Sequence, residues 1–97
     1  MPGFKARMIH ADSMTIAFWE IREGATLPEH AHIHEQISVV TQGELELIID
    51  GKAQIYRPGM VAVIPGNVKH SGRAVTYCEV TDIWSPLRED YRARQLK

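Results

Sequence analysis

Three of the chain's five histidines stand at alternate positions in one short stretch, His30, His32 and His34 of HAHIHEQ. Residues two apart in a strand project from the same face, so imidazoles at this spacing can each offer a nitrogen lone pair to one cation. If the stretch is extended, all three line one side; if the chain bends, His34 turns away. Gln36 follows two residues later with a carbonyl oxygen, a harder donor. A further donor must come from a distant segment. His70 is placed for this, because the Pro65-Gly66 turn in IPGNVKH swings the following strand back across the fold. The competing interpretation is an exposed strand face that holds no metal. His10, isolated near the N-terminus, takes the plain interpretation of a hydrogen-bonded or exposed side chain.

A second group closes the strand region in VTDIWSPLREDY. Asp82 and Trp84 share a face if the strand continues, and Pro86, which cannot donate to a ladder, ends it. Arg88 lies just beyond. A carboxylate for proton transfer, an aromatic face for a sugar ring and a guanidinium for a substrate carboxylate together suit a carbohydrate-acid site. The alternative is structural: Asp82 paired with Arg88 at the surface, and Trp84 in the core.

The elements that position these groups are short strands. TIAFWEIR (residues 15–22) mixes β-branched and aromatic residues with polar ones. In ELELIID, Glu44 and Glu46 alternate with Leu45 and Leu47, a period of two. Asp50-Gly51 then predicts a two-residue hairpin turn, since both positions need positive φ, and KAQIY is the returning strand. Pro58-Gly59 and Pro65-Gly66 flank MVAVI, a fully apolar strand. HSGRAV and TYCEVTDIWS supply the last strands, and the polar tail REDYRARQLK forms a short helix or frayed end. Strands of this length at roughly ten-residue spacing predict an all-β sandwich or barrel.

Composition narrows the classes. With 97 residues the chain is read as one domain, residues 1–97, with a modest core. Eleven basic against twelve acidic residues leave no basic cluster for nucleic acid. The single cysteine, Cys78, forms no disulfide framework within one chain. No apolar run approaches membrane-spanning length, and MPGFKARMIH has no signal-peptide core. The expectation is a cytoplasmic protein that binds neither nucleic acid nor membrane.

The spacing around the histidines resembles the two motifs of the cupin superfamily. The first is matched by Gly24, His30, His32, Gln36 and Gly43, and the second by Gly59, Pro65 and His70. The resemblance implies a jelly-roll β-barrel holding one divalent metal, zinc, nickel, iron or manganese, on His30, His32, Gln36 and His70. Asn67 stands where the second motif commonly has glycine, and asparagine tolerates positive φ. Gln36 replaces the usual glutamate. Three imidazoles and an amide leave the full charge on the cation, which makes it a stronger Lewis acid and sets it apart from carboxylate-bearing oxygenase sites.

The run from about residue 24 to 91 is similar to the small pectin-degradation cupins, in which glutamine is the expected ligand. These linearise 4,5-unsaturated monouronates. Their pattern of aspartate, aromatic and arginine falls on Asp82, Trp84 and Arg88; the aromatic there is often phenylalanine, so Trp84 is bulkier. The similarity implies Asp82 and Arg88 as catalytic residues, Trp84 and Arg88 as contacts to a small sugar acid, and a homodimer paired through N-terminal strands. A non-catalytic sugar-acid sensor and a cupin dioxygenase are the alternatives.

Overall fold

The computed structural model describes residues 2–95. Nine strands run along the chain: β1 (Phe4–His10), β2 (Thr15–Ile21), β3 (Thr26–His30), β4 (Glu35–Gln42), β5 (Leu45–Ile49), β6 (Lys52–Tyr56), β7 (Val61–Ile64), β8 (His70–Ala74) and β9 (Cys78–Ser85). A short helix, α1 (Glu89–Gln95), follows. The last two residues of the polar tail, 96 and 97, lie outside the described residues.

The strands form two antiparallel sheets, one ordered β1-β2-β9-β4-β7 and the other β3-β8-β5-β6. The fold is the expected all-β jelly roll, built as two facing sheets that do not close into one continuous barrel. The hairpin at Asp50-Gly51 forms as its chemistry requires, with φ of 51° and 79° joining β5 to β6. Asn67 also takes positive φ, 66°, in the glycine position of the second motif.

The structure decides two local points that the sequence leaves open. The histidine stretch is not one extended strand: β3 stops at His30, and residues 31–34 bend before β4 begins at Glu35. The apolar VAVI is not buried on both faces. It is an edge strand in which Ala62 and Ile64 point inward while Val61 and Val63 stay more than half exposed.

Strand register sorts the inward face of the larger sheet into rows. Toward one end, Ile21 pairs with Cys78, and the Trp19–Val80–Val40 row follows. With Leu45, Leu47, Tyr56 and Ala74 of the other sheet, they make the hydrophobic core. The next rows are Ala17–Asp82–Ser38–Ala62 and Thr15–Trp84–Gln36–Ile64. Here the interior turns polar, with Thr15, Gln36, Ser38 and Asp82 all buried. Buried polar side chains are tolerated only when hydrogen-bonded, so this end has to be read as a network.

Candidate metal centre

His30 ends β3 and His70 starts β8, and the two are register partners across the smaller sheet. Their ring centroids stand 4.2 Å apart. His32 comes from the bend beyond β3, with its ring centroid 5.5 Å from His30 and 4.9 Å from His70. The bend is held by the backbone N–H of Asn67, which donates to the His32 carbonyl at 2.6 Å. The turn between β7 and β8 thus fixes the histidine segment, and Asn67 in its left-handed conformation is what aims that N–H.

Each ring is oriented by the same device. Nδ1–H of His30 donates to the Pro28 carbonyl at 2.9 Å, that of His32 to His34 at 3.0 Å and that of His70 to Val68 at 2.9 Å. A donated Nδ1–H sets the tautomer with a bare lone pair on Nε2. The three candidate ligand atoms lie within 4.8 Å of one another. Nε2 of His32 and of His70 is buried with no hydrogen-bond partner. Orphaned, converging imidazole nitrogens with carbonyls behind them are the donor set a divalent transition metal takes, so the residues fit the cation that the motifs imply.

Electrostatics agree. Burial, followed by the Arg88 charge and the neighbouring His70, pushes the His32 imidazolium down to about 4. Burial also depresses His70. Both rings are therefore neutral and available as ligands at neutral pH. His34 does not join them. It borders a separate hollow with Pro86, Leu87 and Asp90. His10 bonds Thr15 Oγ1 at 2.8 Å, the plain role expected of it.

The opposite wall of the same cavity, whose volume is about 70 Å³, carries Gln36, Asp82, Trp84 and Arg88. Cross-strand register places Gln36 beside Trp84 and Ser38 beside Asp82. The Trp84 indole N–H donates to Gln36 Oε1 at 2.8 Å, Gln36 Nε2 donates to Ser38 Oγ at 2.9 Å, and Ser38 donates to Asp82 Oδ1 at 2.6 Å. Every bond in the chain points toward the carboxylate.

Asp82 itself is buried, with 9% of its surface exposed. Desolvation raises its carboxyl from the usual carboxylate range to about 6, against the opposing pull of Ser38, Gln36, Trp19 and Arg88. The Trp19 indole N–H lies near this carboxylate and favours its charge but closes no hydrogen bond, and is buried without a partner.

Arg88 does not pair with Asp82 at the surface. Its Nε–H and an Nη2–H donate to the two oxygens of Asp90 at 3.0 and 2.8 Å, and its guanidinium lies over the rings of Trp84 (4.9 Å) and Tyr91 (4.0 Å). The side chain is 8% exposed and faces the cavity. The Arg88 pairing holds the Asp90 carboxyl down to about 2. Three of the five guanidinium hydrogens remain for an anionic group.

Ser38, Trp19, Asp90 and Tyr91 are site residues that the sequence analysis did not select. Ser38 was within reach of the argument, since it shares the inward face with Gln36 by the same alternation. Tyr91 carried no such signal, because its place depends on where the chain after Pro86 folds back.

The jelly roll and the histidine-lined cavity define a small β-sandwich whose histidine cluster is positioned to bind a metal ion, and the Cupin domain family model matches residues 17–84. The chain belongs to the cupin family. It is 29% identical over 92 residues to the pectin degradation protein KdgF of Dickeya dadantii, covering 92% of this chain and 84% of that protein. The structure of KdgF from Halomonas sp. superposes with a TM-score of 0.89 at 29% identity, covering 94% of this chain and 86% of the other. An RmlC-like cupin from Shewanella frigidimarina gives the same TM-score and identity over 94% and 83%. Salicylate 1,2-dioxygenase from Pseudoaminobacter salicylatoxidans, at 17% identity and a TM-score of 0.83 over a quarter of its length, shares the fold alone.

Proposed function

We propose that this chain is a metal-dependent enzyme of pectin or alginate breakdown that opens 4,5-unsaturated monouronates to linear keto-deoxyuronates. One observation carries the reading. A buried carboxylate with its protonation poised near 6 shares a 70 Å³ cavity with three converging imidazoles and a guanidinium. Proton transfer, cation binding and anion binding therefore meet in one enclosed space. The likeness to the KdgF proteins supports the choice of substrate class.

His30, His32 and His70, with the Gln36 oxygen, would hold a divalent ion. When bound, that ion supplies Lewis acidity toward the substrate carboxylate or a ring hydroxyl. Arg88 takes the anionic end with its free N–H groups, and the Trp84 ring packs on the sugar. Asp82, ionised at neutral pH, removes the anomeric hydroxyl proton. The C1–O5 bond breaks as C1 becomes a carbonyl, and its electron pair passes to O5. Asp82 then delivers the proton to C4, so the enol becomes a ketone and no atom is gained or lost. A base near 6 suits both halves, because it accepts and returns a proton near neutral pH.

The test is the loss of ultraviolet absorbance as the conjugated double bond of an unsaturated galacturonate disappears, with and without chelator. Asp82→Asn is expected to lower turnover by about 10²- to 10⁴-fold while retaining metal. Wild-type turnover in that variant, or no absorbance loss with any metal in the native protein, defeats the assignment; binding of the sugar acid without turnover identifies a sensor instead.

The chain is also proposed to pair with a second copy through the outward face of its larger sheet. Register sets Ile9, Ile16, Ile83, Ile37 and Val63 in one row across all five strands, with Phe18, Val39 and Val61 in the next. Ile9, Val61 and Val63 are each more than half exposed. The second row also holds Thr81 and, on the outermost strand, Arg7 over the Phe18 ring; the other charges, on Lys5, Glu20, Glu35 and Glu79, lie at the margin. An apolar centre with a polar rim is the anatomy of a protein interface. Five strands at about 4.8 Å spacing and about seven residues long present roughly 550 Å² in projection. Side-chain relief brings that toward the ~800 Å² per partner of a stable dimer. Sedimentation of native protein should show a dimer, and Ile37→Arg with Ile83→Arg should show a monomer; a monomeric native chain rules the pairing out.

A further inference from the structure

The Gln36 amide has one face that can bind a cation and one that cannot. Its oxygen carries lone pairs, whereas its NH2 group has only hydrogens to offer. The two ends are nearly isosteric, so the orientation is decided by hydrogen-bonding neighbours. One neighbour is Ser38 Oγ, at 2.9 Å from Nε2. A hydroxyl can donate or accept; Ser38 gives its one hydrogen to Asp82 Oδ1 at 2.6 Å and so favours the NH2 end while that carboxylate is ionised, but a protonated Asp82 would free Ser38 to tolerate either end of the amide. The other neighbour is the Trp84 indole, at 2.8 Å from Oε1. An indole N–H donates only, so it accepts the oxygen and rejects the NH2 group. The contact is buried and lies between direct cross-strand partners, so neither side chain can swing away from the other.

We propose that Trp84 is a positioning residue for the metal centre: its donor-only indole N–H locks the Gln36 amide with the oxygen, rather than the nitrogen, available to the cation. This rests on the reading of Gln36 as a ligand. The indole occupies one lone pair of Oε1 and leaves the second for the metal. The role is separate from packing on the substrate, because it uses the edge of the ring system and not its face. A phenylalanine here would keep the ring and lose the lock.

The test is affinity of the metal-free protein for Zn²⁺, measured by competition with a chromophoric chelator in the absence of any substrate. Trp84→Phe should bind Zn²⁺ about tenfold more weakly than native protein, the low end of what loss of a ligand-orienting partner does. In a Gln36→Glu background the same change should alter affinity by less than about twofold, because a carboxylate presents oxygen at both ends. Equal losses in both backgrounds would show that ring packing is responsible and overturn the lock. Should Trp84→Phe fold poorly, 3-benzothienylalanine at position 84 keeps the bicyclic shape and removes only the N–H; native affinity in that protein also overturns it. Gln36→Ala separates the two levels. If it binds Zn²⁺ as tightly as native protein, Gln36 is no ligand and both ideas fall. If it binds weakly while Trp84→Phe binds normally, only the lock falls.

Discussion

Asp82 is held where burial sets its charge against the stability of the fold. Its folded carboxyl titrates near 6 and its unfolded one near 3.8. Between those values the folded state binds more protons, so Asp82 favours folding below about 3.8 and progressively loses that contribution as pH rises toward 6. At pH 7 its charge is a burden on the fold. Asp82→Asn should therefore raise the melting temperature at pH 7 to 8, by a margin that shrinks to nothing near pH 4, even as turnover collapses. Thermal melts at the two pH values check this, and a lower melting temperature for the variant at pH 8 contradicts the burial argument. At this scale the sequence disclosed residue types but not their bonds. The alternation put Asp82 beside Trp84 on one face, but the Gln36–Ser38–Asp82 chain needed β4 and β9 in register. The structural alternative paired Arg88 with Asp82 and missed Asp90 for the same reason, since the turn after Ser85 decides which acid it meets.

Among the elements, the turns were the most legible. Asp50-Gly51, Asn67 and the Pro-Gly pairs declare their backbone requirements in side-chain chemistry, and the chain turns where they stand. Gly43 makes the same kind of demand. It closes the β4–β5 connection at φ 81°, and a Cβ there would collide with the Tyr77 carbonyl. Gly43→Ala should thus destabilise the fold by more than the ~1 kcal/mol of backbone strain alone; a chemical denaturation midpoint equal to native would refute the collision. The histidine stretch was less legible because alternation is only one of the patterns that converge side chains. The spacing could not decide on the bend after His30, since it is held by a hydrogen bond to the His32 carbonyl from Asn67, thirty-five residues beyond His32. VAVI was legible as a strand but not as an edge, because a strand that is apolar on both sides reads the same at the edge and at the centre until the sheet order is known.

For the whole molecule, a pH response follows from the imidazoles. In the metal-free protein His32 titrates near 4, whereas in the unfolded chain it titrates near 6.5. The unfolded state then binds more protons in that interval, so His32 withdraws stability as pH falls from about 6.5 to 4. His70 acts in the same direction. Asp82 acts in the opposite direction over the same interval, so with Asp82→Asn to remove it, metal-free protein should melt at a lower temperature at pH 5 than at pH 7. Adding Zn²⁺ at pH 7 should raise the melting temperature in a concentration-dependent way, because it binds the folded state alone. His32→Ala should remove most of both effects; if it leaves the acid sensitivity intact, another group is responsible.

The candidate ligands belong to different layers: His30 and His70 to the smaller sheet, Gln36 to the larger, His32 to the bend between them. A cation gripped by all four would act as a rivet through the open end of the sandwich. Since β3 is an outermost strand with a single hydrogen-bonded neighbour, it gains most from being pinned. Amide hydrogens along residues 26–30 should then exchange more slowly in the loaded protein, while those of the β5–β6 hairpin, farther along that sheet, keep their rates.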